Sequence, residues 1–549
     1  MEVIFQAIGE IATIQTLALM ALGAIAGLIS GAIPGFTIAM AVVLTLPFTF
    51  SMSASQGIAT MIGVFVGGLS GGLMSGILIG IPGTPSSVAT TFDGFPMARE
   101  GRPGLALGIG VWASFFGGII STVLLVAVAP QLARIGLEFQ PWDYFALVFF
   151  ALTITASLAG KNLVKGLIAG VIGLLIASVG EEDINGVSRF DFGSEYLQEG
   201  FAFLPVLIGL FAFSRLMTDV RDRETATKNL MEMGDVDIRI EHRKAIAEVL
   251  KRWGNLIRSS CIGVFTGILP AAGSSISNIL AYDQAKKASK TPEKFGTGFA
   301  DGIVAPEAAN NATAGGSLIT MMALGIPGDI ITAVMLGALL IHDVVPSPSF
   351  INEQPVLAYS IFIAFFFANF LVLFLQSIAL RLFVLVTKVQ LYVLAAIILA
   401  YCGIGVFALN NIVNDMWTLL LFGLVGYVMR NLGFPLAPII LGVVLGPIAE
   451  KWLARALAIS TDMTLFVTQP WSLFFVILSV FSMAFGLYQR DRGIKRWADF
   501  FTPLLMMSLS LPIFMMGGVL RPVVGAGLVA FGAYRLYKVL QNKPAAEAT

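Results

Sequence analysis

The sequence predicts an all-α fold: a polytopic transmembrane helical bundle of about 11–14 membrane segments, some broken or re-entrant, in two internally repeated halves. Three observations predict it: long apolar runs with few charges, glycine and proline inside those runs, and landmarks that return in the same order later in the chain. Of 549 residues, 57% are hydrophobic and 12% charged, half of the roughly 25% charged in a soluble domain. The mean hydropathy is +0.87. Runs such as 105–130, 356–375 and 473–488 are almost free of charge, and about 17–25 residues of this kind cross a bilayer as a helix. In apolar runs the 58 glycines and 24 prolines point to close helix packing and interrupted helices rather than to loops. Gly23, Gly27 and Gly31 fall four apart, on one helix face.

Composition also excludes. Net charge is zero, so nucleic acid is not an expected partner. The two cysteines, Cys261 and Cys402, both in apolar context, make neither a disulfide framework nor a thiolate metal site. The start lacks a basic n-region and carries Glu2 and Glu10, so it reads as retained rather than as a cleaved signal. Gly68-Leu69-Ser70-Gly71-Gly72 formally fits a nucleophile elbow, but that chemistry needs a base. His242 lies in a charged loop and His342 is far along the chain, so Ser70 reads as a packing residue. With no H-E-x-x-H or Walker A pattern either, no enzyme and no cofactor are expected.

The clearest polar interruption is 214–258, with Arg215, Arg221, Arg223, Lys228, Arg239, Arg243, Lys244, Lys251, Arg252 and Arg258. A loop so rich in Lys and Arg faces the cytoplasm. Within it, 241–253 reads as an amphipathic helix with Ile246, Val249, Leu250 and Trp253 on one side, lying on the inner membrane surface. A second basic cluster, Arg490, Arg492, Lys495 and Arg496, belongs on the same side. The expected organisation is a first repeat over 1–213, a cytoplasmic linker over 214–258, a second repeat with following helices over 259–480, and an extension with apolar segments over 481–549.

The repeat rests on two landmarks. Gly27-x3-Gly31-x2-Pro34-Gly35 returns 236 residues later as Gly263-x3-Gly267-x2-Pro270-Ala271, and Gly80-Ile81-Pro82-Gly83 returns 245 later as Gly325-Ile326-Pro327-Gly328. A Gly-Gly step, 71–72 and 315–316, precedes the latter in each half. Matched Gly/Pro breaks in duplicated membrane halves mark a transporter core, where broken helices expose N–H groups and helix starts to the solute. The plainer reading, that each proline only kinks its helix, fits one proline better than four in matched pairs.

The segment from Ile81 to Arg99 carries most of the chemistry. Pro82 and Pro85 stop a helix, and Thr84, Ser86 and Ser87 can cap the next, presenting N–H and O–H donors to a carboxylate. Asp93 and Arg99 read as a structural pair at the membrane edge. In the second half, Asn310 and Asn311 in Ala305-Pro306-Glu307-Ala308-Ala309-Asn310-Asn311 can offer amide donors to an anion or carbonyls to a cation. Glu307 is the candidate for ion coupling, either binding Na⁺ or carrying a proton; a place in interfacial water is the alternative.

These residues resemble the large membrane subunit of the tripartite tricarboxylate transporters, the TctA-type proteins. The resemblance lies in Gly80-Ile81-Pro82-Gly83-Thr84-Pro85-Ser86-Ser87-Val88-Ala89-Thr90 with Asp93-Gly94-Phe95-Pro96-Met97-Ala98-Arg99, in Phe295-Gly296-Thr297-Gly298, in the 305–312 stretch, and in Leu324-Gly325-Ile326-Pro327-Gly328. Leu441-Gly442-Val443-Val444-Leu445-Gly446-Pro447 through Glu450, then Arg455, is similar to a later Pro/Gly-rich segment of the family, so the resemblance covers roughly 15–480. It implies a multi-pass protein of the bacterial inner membrane, working with a small four-helix membrane subunit and a periplasmic solute-binding protein. It implies Na⁺- or H⁺-driven uptake of di- or tricarboxylates or related organic acids. A homodimer stays open as its assembly. Pro34, Gly35, Thr84, Ser86, Ser87, Asn310, Asn311 and Pro327 carry over as substrate-binding candidates, joined by Pro85, Gly273, Ser274 and Gly328. Two departures stand out: Pro270 is followed by Ala271 rather than Gly, and Asp329 follows Gly328; an acid aimed at the site repels an anion, so either Asp329 points away or the substrate differs. A channel, or a carrier for a non-carboxylate solute, is the rival reading; duplication within one chain favours alternating access.

Overall fold

A backbone in lipid must satisfy its own N–H and C=O groups, so apolar runs of this length become helices. The computed structural model describes residues 2–33, 36–158, 163–182, 186–221, 239–270, 273–342, 344–386, 391–491, 494–518 and 520–541. Among them, eight helices are long and apolar enough to cross a membrane, and six apolar helices are shorter. The chain is an all-α polytopic bundle.

The first stretch supplies α1 (Glu2–Ile11), α2 (Ile14–Ala32), α3 (Ile38–Thr49), α4 (Ala54–Ile79), α5 (Val88–Arg99) and α6 (Pro103–Gly136). Next come α7 (Pro141–Leu158) and α8 (Leu163–Ala177), then α9 (Phe203–Ile208), α10 (Ser214–Arg221), α11 (His242–Leu250), α12 (Trp253–Ile268) and α13 (Gly273–Ala288). After them run α14 (Asp301–Leu324), α15 (Ile330–Ile341), α16 (Pro355–Val386), α17 (Leu391–Asn410) and α18 (Val413–Asn431). The last stretch holds α19 (Leu436–Ile459), α20 (Pro470–Asp491), α21 (Trp497–Met515) and α22 (Leu520–Gln541). Side-chain oxygens start several of them: Thr13 accepts from the Thr16 amide at 3.1 Å, Thr37 from Met40 at 3.1 Å and Ser53 from Gln56 at 3.3 Å.

By contact, the chain forms two units, Met1–Leu137 with Phe201–Leu432, and Glu138–Gly200 with Gly433–Thr549. In the first unit α2 packs on α4, α12 on α14, and α14 on α6. Backbones touch where glycine permits. A Cβ at Gly27 or Gly31 would collide with the carbonyls of Val64 or Gly68 on α4; one at Gly263 or Gly267 would collide with those of Ala309 or Thr313 on α14. The α2 positions lie 236 residues before their α12 counterparts and the α4 positions 245 before theirs, the two shifts that the sequence landmarks carry. The expected amphipathic helix is shorter than 241–253: it runs as α11 and stops in a turn at Lys251 and Arg252. Val249 is buried in the protein while Leu250 and Trp253 are exposed, so the apolar side is shared between protein and surroundings.

In the second unit α19 packs on α7 and α8, and α20 joins α7 to α21. A short hairpin, β1 (Gly180–Glu181) with β2 (Ser188–Arg189), carries the Arg189–Glu450 ion pair, whose second hydrogen bond is 3.0 Å. Arg521 at the start of α22 reaches Glu138 at 2.8 Å, and Tyr488 stacks on Phe501 at 4.4 Å, so the terminal helices are tied into this unit.

Candidate functional site

All described candidate residues lie in the first unit. Pro34 and Gly35 fall outside the described residues. α4 ends at Gly80 in the left-handed conformation, φ 75°, and α14 ends the same way at Gly325, φ 71°; such a terminus favours glycine because a Cβ is strained there. Each chain then runs through a Pro-Gly step. Gly83 sits against the Gly31 carbonyl and Gly328 against the Gly267 carbonyl, both too close for a side chain.

A capping box follows each break, on the 3-10 turn Pro85–Ser87 in the first case and on α15 itself in the second. Thr84 and Ser87 form a capping box before α5, with the Thr84 amide 3.5 Å from the Ser87 hydroxyl and the Thr84 and Ser86 hydroxyls 2.8 Å apart. Asp329 and Thr332 form one before α15: Asp329 Oδ1 accepts from the Thr332 amide and hydroxyl, both at 2.8 Å, and Oδ2 accepts from Ser317 at 3.1 Å. Thr84 and Asp329 lie 245 residues apart, as do Ser87 and Thr332. The acid that looked ill-placed after Gly328 is therefore spent on its own helix start, where an anion is favoured. Thr84, Ser86, Ser87, Pro327 and Gly328 are buried, while Pro85 is exposed.

Asn278 on α13 ties the halves together at the first break. Its Oδ1 accepts from the Ala89 amide at 3.1 Å, and its Nδ2 donates to the Ser274 carbonyl at 2.8 Å, with the Pro85 carbonyl at 3.5 Å. Gly273, φ 58°, adjoins Asp329: a Cβ built there would lie 3.6 Å from that of Asp329. Thr84–Ser87, Gly273, Ser274 and the Gly328–Asp329 step thus converge, though they come from distant parts of the first unit's sequence.

Deeper lies Glu307, fully buried on α14, accepting from Thr90 of α5 at 2.6 Å and Ser114 of α6 at 2.8 Å. The interfacial-water alternative does not hold. Asn310 donates to the Leu69 carbonyl at 2.9 Å, and its own carbonyl oxygen is buried without a partner. Asn311 accepts from Ser70 at 2.9 Å, so Ser70 bonds across the halves instead of merely packing. Gln376 of α16 reaches the Ser70 carbonyl at 3.3 Å. Buried oxygens of this kind suit a proton or a hard cation. Among the described residues no group of three or more His, Cys, Asp or Glu is placed to hold a metal ion.

The expected Asp93–Arg99 pair is not formed. Asp93, wholly buried, is held by the amides of Gly296, Gly298 and Phe299 at 2.7–3.0 Å and by the Tyr282 hydroxyl at 2.9 Å; Arg99 lies over the Phe95 ring instead. A carboxylate with this many N–H donors needs no cation partner. Sequence reasoning missed Asn278, Thr90, Ser114, Tyr282 and Gln376. The hydroxyl-rich Ser274-Ser275-Ile276-Ser277-Asn278 was the available signal for the first of these.

Fold and site define a polytopic membrane protein with two helix breaks built around polar, buried backbone. The sequence profile of the Tripartite tricarboxylate transporter TctA family matches residues 17–441, and the chain belongs to that family. The match ends before most of the 441–455 segment included in the resemblance. An uncharacterized 52.8 kDa protein in the TAR-I ttuC' 3' region of Agrobacterium vitis is 35% identical over 394 residues, covering 71% of this chain and 77% of that protein. An uncharacterized protein in the TAR-II ttuC' 3' region of the same organism is 35% identical over 209 residues, 38% of this chain and 86% of its own length. No solved structure matches the chain. The family is a transporter family of tripartite systems, so partner subunits and a binding protein accompany the chain.

Proposed function

We propose that this chain is the large permease subunit of an ion-coupled secondary transporter of the bacterial inner membrane. It takes up small di- or tricarboxylates, or related organic acids, delivered by a periplasmic solute-binding protein and with a small four-helix membrane subunit alongside. The observation that carries the reading is the start of α5, entered through the 3-10 turn Pro85–Ser87 with its neutral Thr84 and Ser87 hydroxyls, where the Ala89 amide meets the neutral Asn278 side chain. A helix start offers N–H donors and a positive dipole end, and a carboxylate displaces an amide oxygen there without leaving a buried charge behind. On this reading Thr84, Pro85, Ser86, Ser87, Gly273 and Ser274 contribute to the solute site.

Glu307, with Asn310 and Asn311, takes the coupling Na⁺ or H⁺, and that positive charge offsets the anion nearby. The test is uptake of labelled solute by proteoliposomes holding the chain, the small subunit and the binding protein. Uptake that requires an inward Na⁺ or H⁺ gradient, and counterflow of unlabelled solute, are the expected results. Conductance with no ion–solute coupling would contradict the reading.

A further inference from the structure

A second site lies away from the helix breaks, where α11 crosses the start of α6. The Glu241 amide donates to the Gly104 carbonyl at 3.1 Å, and a Cβ at Gly108 would press on Ala245, so α11 is seated on α6 by backbone contact. Between them and the Gly298–Phe299–Ala300 turn is a cavity of about 460 Å³. Its walls carry Arg102, Lys244, Lys251 and Arg252, with Glu248 the one acid among the lining residues, and its floor is apolar, with Leu105, Ile109 and Phe299.

The cations differ in freedom. Arg252 is fixed, its side chain only 19% exposed between Glu248 at 2.6 Å and Asp301 at 2.8 Å. Hydrogen bonds from Lys251 and Arg252 hold Glu248 below the usual carboxylate range, so it stays ionised. Lys244 and Lys251, 75% and 68% exposed, pair with Glu241 and Glu248 at 2.6 and 2.8 Å, and Arg102 pairs with Glu100. Exposed pairs of this kind are worth about 0–1 kcal/mol, so these three heads turn to a stronger anion at little cost.

We propose that this cavity binds the phosphate headgroup of an anionic phospholipid from the cytoplasmic leaflet, with Lys244, Lys251 and Arg102 as its ligands. Free phosphate shares that chemistry; the surroundings favour the lipid. Leu250 and Trp253, 50% and 66% exposed, flank Lys251 and Arg252 and provide apolar surface for the chain below the headgroup. Basic pockets between helices on the cytoplasmic side are suited to anionic headgroups. Gly298 and Phe299, which wall the cavity, also give their amides to Asp93 on α5, so an occupied cavity braces a turn that the fold depends on.

The experiment is a melting series on the full-length chain in detergent, with phosphatidylglycerol, phosphatidylcholine or inorganic phosphate added. It compares the parent, the double variant Lys244→Gln/Lys251→Gln, and the control Lys286→Gln/Lys287→Gln, which removes the same charge from exposed α13 positions. Phosphatidylglycerol should raise the midpoint by about 2–4 °C in parent and control, and by less than half as much in the double variant. An equal rise in all three proteins, an equal rise with phosphatidylcholine, or the full rise with inorganic phosphate alone would each overturn the proposal.

Discussion

At the first break, Thr84 and Ser87 place hydroxyls on the 3-10 turn that leads into α5 and Asn278 adds a neutral amide; at the second, Asp329 caps the start of α15 directly with its carboxyl group. The preceding glycines, the left-handed terminus and the three-residue spacing of each box are the same. One scaffold therefore presents two electrostatic ends. At the second start the Thr332 amide is already taken by the Asp329 side chain, so on the proposed function the anion goes to the first start, which only neutral groups touch. Two similarly packed breaks can in this way differ in the groups they present, without any change in the glycine contacts beneath them.

The largest expected effect concerns the group that serves neither cap. Glu307→Gln should cut ion-driven uptake by about 10- to 100-fold, the worth of hydrogen bonds to a buried charged group, while the protein stays folded. Uptake with unaltered ion dependence would remove Glu307 from the coupling role. Next, Gly31→Leu and Gly267→Leu drive side chains into matched backbone contacts, so each should destabilise by about 1–3 kcal/mol. Melting curves that show one variant tolerated and the other not would break the equivalence of the two frames. Asp93→Asn places an NH₂ group among N–H donors and should cost about 1.5–3 kcal/mol of stability, again visible as a lower melting midpoint. The smallest change is Asn278→Ala, which removes one cap partner. It should lower stability by about 0.5–2 kcal/mol and raise the KM for solute more than it lowers the maximal rate.

Membrane character and the matched breaks were legible because lipid enforces both: long apolar runs are visible in composition, and Gly80 and Gly325 are where the chain must turn left-handed. The cap at Thr84 was legible too, since N-capping depends on residue type and local spacing. The tertiary partners were not. Thr90 and Ser114 meet Glu307 from 217 and 193 residues away, and Asp93 meets amides more than 200 residues on. A backbone N–H leaves no mark in a sequence, so the nearest cation, Arg99, looked like the partner of Asp93. For Asp329 the sequence left two alternatives, pointing away from the site or serving a different substrate, because its partners, Thr332 and Ser317, come from the helix start it precedes and the helix before, which charge counting ignores.

The measurement that bears most directly on the two unequal ends is solute uptake by the reconstituted three-part system carrying Thr84→Asp or Asp329→Thr. Both substitutions keep a capping residue, so both proteins should fold and insert. The account predicts that Thr84→Asp loses most uptake, because the binding end then carries its own anion, and that Asp329→Thr retains it. Uptake preserved in Thr84→Asp, or lost in Asp329→Thr while Thr84→Asp works, would contradict it.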